Sequence, residues 1–107
     1  MAKPDYFEWT NSKSSDTSFN VTAEEWNRLI DTVIAVHLYK GEYNESAYPM
    51  TKVEAGEPFY AEYFNEVRFA IGSVYSTGLS NKSSGDPIKA SDLNQLVTSI
   101  NSAIDNL

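Results

Sequence analysis

The chain carries one histidine, His37, and no cysteine. Those two counts bound its chemistry. Thiolate catalysis, disulfides and cysteine-based metal sites are excluded by residue type. Ser-His-Asp catalysis would need His37 beside an activated serine. The serines cluster in turn-rich stretches instead, and none sits in a Gly-x-Ser-x-Gly elbow. His37 falls with Trp26, Leu29, Ile30, Val33 and Leu38 at three- to four-residue spacing. That places it on an apolar helix face, as a core or seam residue before a base. Carboxylate-only calcium binding needs an Asp-rich loop of fixed spacing, and the loop before the third helix offers only Asp86. A glycosidase-type carboxylate pair is not restricted by spacing, but it needs a cleft, and a bundle this small has little room for one. There is no glycine-rich phosphate loop. The sequence therefore calls for no catalytic residue, no metal and no cofactor, and the chain is read as not an enzyme. Asn20, Asn44 and Asn81 open Asn-x-Ser/Thr triplets. Without a signal-peptide core in residues 1–10, these are read as chance matches.

Composition narrows the partners. The 107 residues carry 15 acidic and 8 basic side chains, for a net charge of −7. The basic residues are scattered, with no stripe to meet a phosphate backbone or an anionic bilayer, so neither nucleic acid nor membrane is expected. No run approaches the length of a membrane helix. An apolar fraction of 41%, with seven Tyr, five Phe and two Trp, is enough for one folded domain. A chain of this size buries roughly two thirds of its unfolded surface.

Periodicity supplies three helices, at about residues 22–40, 60–77 and 89–105, and with them an all-α fold: a small three-helix bundle. Thr22 followed by Glu25 makes a capping box, and Gly41 is a helix stop. The second helix carries Phe64, Val67, Ile71, Val74 and Tyr75 as its stripe, with Gly72 weakening the last turn and Gly78 as the expected stop. The third carries Leu93, Leu96, Val97, Ile100 and Ile104. Residues 50–53 have strand character, but weakly. Residues 1–20 read as an extended arm and 21–107 as a single helical domain. Tyr6, Phe7 and Trp9 in the arm are open to two readings: packing on the arm's own domain, or forming an interface with a partner.

An internal repeat lies over these helices. Residues 21–33, 59–71 and 88–100 align without gaps. Ala23, Ala61 and Ala90 match, as do Asn27, Asn65 and Asn94. Trp26, Phe64 and Leu93 match at the next apolar position. Val21, Phe59 and Ile88 precede the N-cap, where they pair with those residues as hydrophobic staples. The second and third copies follow Gly-Glu-Pro (56–58) and Gly-Asp-Pro (85–87). Only Thr22 has a capping side chain; Tyr60 and Lys89 do not. Each Asn lies four residues after its Ala, on one helix face. An amide offers two donors and an acceptor. Each Asn is thus expected to pin a neighbouring loop or helix end where the alanine allows close approach. Spacings of 38 residues from Asn27 to Asn65 and 29 from Asn65 to Asn94 argue against a strict solenoid.

Residues 85–96 carry the pattern Gly-Asp-x-apolar-x-Ala-x-x-apolar-Asn-x-Leu, and residues 53–67 carry it with Glu57 and Val67 in place of the Asp and Leu. It resembles helical segments of tail-fibre, baseplate and other virion proteins from phages and prophages of Gram-positive hosts. With all three copies and their leads counted, a little under half of the chain is covered, and the first copy departs most, with Ser18-Phe19-Asn20 in place of the Gly-acid-Pro lead. The resemblance implies a structural or adaptor role by protein–protein assembly, in a virion assembled in the host cytoplasm. Its partners would be other virion proteins or further copies of itself in a homo-oligomer. It transfers no ligand or catalytic residue. The alternative is a monomeric module that binds a cell-surface glycan or protein through its aromatics.

Overall fold

The computed structural model describes residues 3–10, 13 and 21–107; the remaining arm residues, 1–2, 11–12 and 14–20, lie outside the described set. Three α-helices follow in chain order: α1, Ala23–Lys40; α2, Ala61–Gly72; and α3, Ala90–Asp105. Each packs against the other two. No strand occurs among the described residues.

The start of α1 follows from its first residues. Thr22 is in the extended region, its hydroxyl accepts the Glu25 N–H at 3.1 Å, and the Glu25 carboxylate accepts the Thr22 N–H at 3.1 Å. Two otherwise orphaned donors are satisfied reciprocally. The helix ends at Gly41, whose φ of 76° is the left-handed turn that a residue without Cβ adopts at little cost. The other two helices lack a side-chain N-cap. In α3, Asp92 supplies half of a capping box by accepting the Lys89 N–H at 2.9 Å.

The second helix is shorter than its periodicity implies. It stops at Gly72 instead of running to residue 77. The carbonyl of Ala70 would accept from residue 74 if the helix continued. Here it faces His37 Nε2 at 2.9 Å and accepts the Ser73 hydroxyl at 2.7 Å. Val74 and Tyr75 turn back to the Ile71 carbonyl at 3.0 and 2.9 Å. The low helix propensity of Gly72 lets this competition win. Val74 ends half-buried and Tyr75 exposed.

The weak strand expected at 50–53 is absent for a related reason. Its amide donors go to helix side chains: Thr51 to Glu66 at 3.0 Å and Val53 to Asn27 at 2.8 Å. No sheet partner is needed once those groups are satisfied.

The core takes Trp26, Leu29, Ile30, Val33 and Val36 from α1. It takes Phe64, Val67, Ala70 and Ile71 from α2, and Leu93, Leu96, Ile100, Ala103 and Ile104 from α3. Full burial of one such aliphatic side chain contributes about 1.5–3 kcal/mol before entropy is counted. Leu38, expected on the α1 stripe, lies outside this set and is 46% exposed. Phe7 joins the core from the arm at 1% exposure. In the single chain it thus packs on the arm's own domain, the first of the two readings of the arm. Trp9 is half-buried against the same cluster, and only Tyr6, at 59%, is exposed. Phe7 and Trp9 meet edge to face at 5.0 Å.

Candidate functional site

The three repeated asparagines do the same thing in three places. Asn27 donates its amide to the Val53 carbonyl at 2.7 Å and accepts the Val53 N–H at 2.8 Å. Asn65 does likewise with Lys82, at 2.8 and 2.7 Å. Asn94 donates to the Lys13 carbonyl at 3.0 Å. A side chain here replaces the neighbouring strand that an extended segment would otherwise pair with. The gripped residues also follow a rule. Val53 and Lys82 each lie 12 residues before the next repeat's asparagine, and Lys13 lies 14 before Asn27. Each helix therefore holds the segment that leads into the next repeat, and α3 holds the segment that leads into the first. The circle closes. The alanines are the first residue of each helix, with Ala90 buried and Ala23 and Ala61 half-buried.

The same repeat places a charge pair beside two of the clamps. Lys13 meets Glu25 at 3.2 Å, with both side chains 2% exposed. Lys82 meets Asp92 at 3.0 Å, more openly. Glu25 and Asp92 occupy one repeat position, and in the second copy that position is Tyr63 while the gripped residue is Val53. An apolar gripped residue thus goes with an aromatic at the paired position, and a lysine goes with an acid. Glu25 also accepts the Thr10 N–H at 2.8 Å. A buried carboxylate needs this many partners, because desolvating a charge is otherwise costly.

The arm receives a second set of clamps that the repeat alignment does not show. Asn101, two turns beyond Asn94, accepts the Phe7 N–H at 2.8 Å and donates to the Phe7 carbonyl at 3.0 Å. Its seven-residue offset from Asn94 was the available signal. The Arg28 guanidinium donates to the Glu8 carbonyl at 2.8 Å and lies 4.5 Å from the centre of the Phe7 ring. Tyr6 donates its hydroxyl to Asp105. That bond, the negative charge of Asp105 and partial burial together hold the Tyr6 phenol above its ordinary range.

His37 is a seam residue. It is 1% exposed, packs against Tyr48 with ring centres 4.5 Å apart and planes tilted by 48°, and ties the end of α1 to the end of α2. Its Nε2 also lies 3.4 Å from the Ser73 hydroxyl. This is not a nucleophile and its base. The Ala70 carbonyl faces Nε2 and requires a proton there, and the Ser73 hydroxyl donates to the same carbonyl. Buried Nδ1 has no partner among the described residues to orient the ring as a triad acid would. Among the described residues, no three His, Asp or Glu side chains are grouped to hold a metal ion. No described helix is long and apolar enough to cross a membrane.

The described surface includes an aromatic centre with a polar rim. Phe69 is 52% exposed and lies 5.9 Å from Tyr48. It borders a shallow recess with Pro49 and Ala47, edged by Glu62, Glu66 and Arg68. A second recess, of about 410 Å³, lies where Val21, Trp26, Val53 and Phe59 meet. Phe59 stands edge-on to Trp26 there, at 4.8 Å. Compared with known proteins, the chain matches no family model, no curated protein sequence and no solved structure.

Proposed function

We propose that the chain is a non-enzymatic structural or adaptor module of a phage or prophage virion, working by protein–protein assembly. The observation that carries this reading is the Phe69 surface. An aromatic centre ringed by Glu62, Glu66 and Arg68 has the composition of a protein interface, with an apolar middle and a charged edge. Tyr60, Tyr75, Leu38 and Tyr39 add further exposed apolar area. The virion assignment rests on the resemblance of residues 53–67 and 85–96 to helical segments of virion proteins. The clamps support a part that must keep its shape under load, since they fix the loops between helices by paired hydrogen bonds.

The test is the solution mass, by light scattering after size exclusion at several concentrations, for the wild-type chain and for Phe69→Asp. A discrete oligomer that Phe69→Asp dissociates is the expected result. A single-chain mass at every concentration would overturn self-assembly and would favour a monomeric module for a cell-surface glycan, to be followed by glycan screening.

A further inference from the structure

The turn that leads into α2 and the turn that leads into α3 are built alike. The Glu57 N–H closes on the Glu54 carbonyl at 3.1 Å and the Asp86 N–H on the Ser83 carbonyl at 2.9 Å. Gly56 and Gly85 take φ of 88° and 89°. Their acids are used differently. Asp86 is spent inside its own turn, where its carboxylate accepts the Ser83 N–H at 2.8 Å. Glu54 and Glu57 are exposed, and neither carboxylate has a hydrogen bond or an ion pair among the described residues. The turn does not need an acid at position 54, since Ser83 serves at the matching place.

Both acids line the recess of about 410 Å³ whose other walls include Val21, Trp26, Val53 and Phe59. Clefts that hold ligands start at about 300 Å³. Trp26 is 0% exposed, and its indole N–H is buried with no acceptor among the described residues. A buried donor left unpaired is costly, and an occupant that brings an oxygen relieves it. The negative field extends past the recess. Burial, and then the charges of Glu62, Glu57 and Glu66 together with Tyr60, hold the Tyr63 phenol above its ordinary range.

We propose that this recess is a socket for an aromatic side chain carried on a basic segment of a different protein. The ring packs against Trp26 and Phe59, the flanking cations face Glu54 and Glu57, and an oxygen of the segment accepts the Trp26 N–H. These are the parts of an interface hot spot, an aromatic anchor in a pocket with complementary charge at its edge. A second copy does not supply the occupant. Its two closest basic residues, Lys82 and Lys89, are seven positions apart, with no aromatic between them. The socket shares no lining residue with the Phe69 recess and does not depend on self-assembly there.

The test is an NMR titration of the full chain with the peptide acetyl-Lys-Arg-Tyr-Arg-Lys-amide. The Trp26 indole N–H should shift saturably while that of Trp9 stays still, with a Kd on the order of 100 μM or tighter. The double variant Glu54→Gln, Glu57→Gln should weaken binding at least about fivefold, as should raising salt to ~0.5 M. Ala55→Phe fills the recess from an exposed turn position and should abolish binding with helical circular dichroism unchanged. A Trp26 indole that does not move overturns the proposal. Equal binding by a peptide with Gly in place of Tyr, or binding that survives Ala55→Phe, would reduce the site to a diffuse acidic surface and overturn the socket. Tyramine binding as tightly as the peptide would make this a small-molecule site and overturn a protein segment as its occupant.

Discussion

The junction between α2 and α3 and the junction between α3 and the arm are built from the same parts but held to different degrees. At the first, Asn65 grips Lys82, and Lys82 reaches Asp92 across a partly open surface. At the second, Asn94 grips Lys13, the Lys13–Glu25 pair is buried, Asn101 adds a second clamp, and Phe7 is driven into the core. The difference follows from chain connectivity. A segment joining two neighbouring helices is already confined, so a single clamp suffices to fix it. The arm contacts close separations of 81 and 94 residues, so far more freedom is lost in making them, and additional burial and bonding accompany them. The repeat supplies the clamp, and the arm's own residues supply the rest.

Substitutions sharpen this contrast. The largest effect is expected at Phe7→Ala, which should lower unfolding stability by about 3–5 kcal/mol in denaturant titration, as for any buried aromatic. A loss below about 1 kcal/mol would mean that the arm is an accessory to the fold. Next is the pair of lysines. Lys13→Met leaves Glu25 a buried charge without its cation and should cost about 3 kcal/mol. Lys82→Met, whose partner Asp92 is less deeply buried and also accepts the Lys89 N–H, should cost less, about 1–2 kcal/mol. Equal losses at the two lysines would erase the distinction between the junctions. Asn27→Ala and Asn65→Ala each strand a backbone N–H and C=O in a half-buried setting and should cost about 1–3 kcal/mol by the same assay.

Tyr6 gives the smallest effect and a pH signature. Its phenol is raised by the bond to Asp105 and by that carboxylate's charge. The folded chain therefore holds this proton more tightly than the unfolded chain does. The resulting stability is present below the unfolded value, about 10, and is lost as pH rises through the folded value. Between pH 9 and 11, wild type should lose stability relative to Tyr6→Phe; parallel curves would show that the bond is not made in solution.

Much of this was legible in the residues. Three helices came from the 3.6-residue period, and the α1 start came from Thr22 and Glu25. The matching positions of Asn27, Asn65 and Asn94 marked a repeated contact before any partner was visible. The partners were not legible, because which loop residue faces a helix side chain is a tertiary register that neither segment encodes alone. The arm shows the same limit. Tyr6, Phe7 and Trp9 have no period to assign faces, and only packing selects Phe7 for the core. The early end of α2 was half-visible in Gly72. Val74 and Tyr75 continue the stripe, and what stops the helix is His37, 33 residues before Ala70 in sequence, facing the Ala70 carbonyl. A lone Lys13 in a polar stretch likewise gave no sign that it would be buried against Glu25.

The central claim is that helix asparagines, not sheet or turn, hold the segments between repeats and the arm. Native-state amide exchange at Phe7, Val53 and Lys82 tests it most directly, since each amide donates to an asparagine side chain. All three should exchange slowly although they lie outside helices, and Asn27→Ala, Asn65→Ala and Asn101→Ala should each release only the amide of its own partner. Exchange at these three amides as fast as at their exposed loop neighbours would contradict the account.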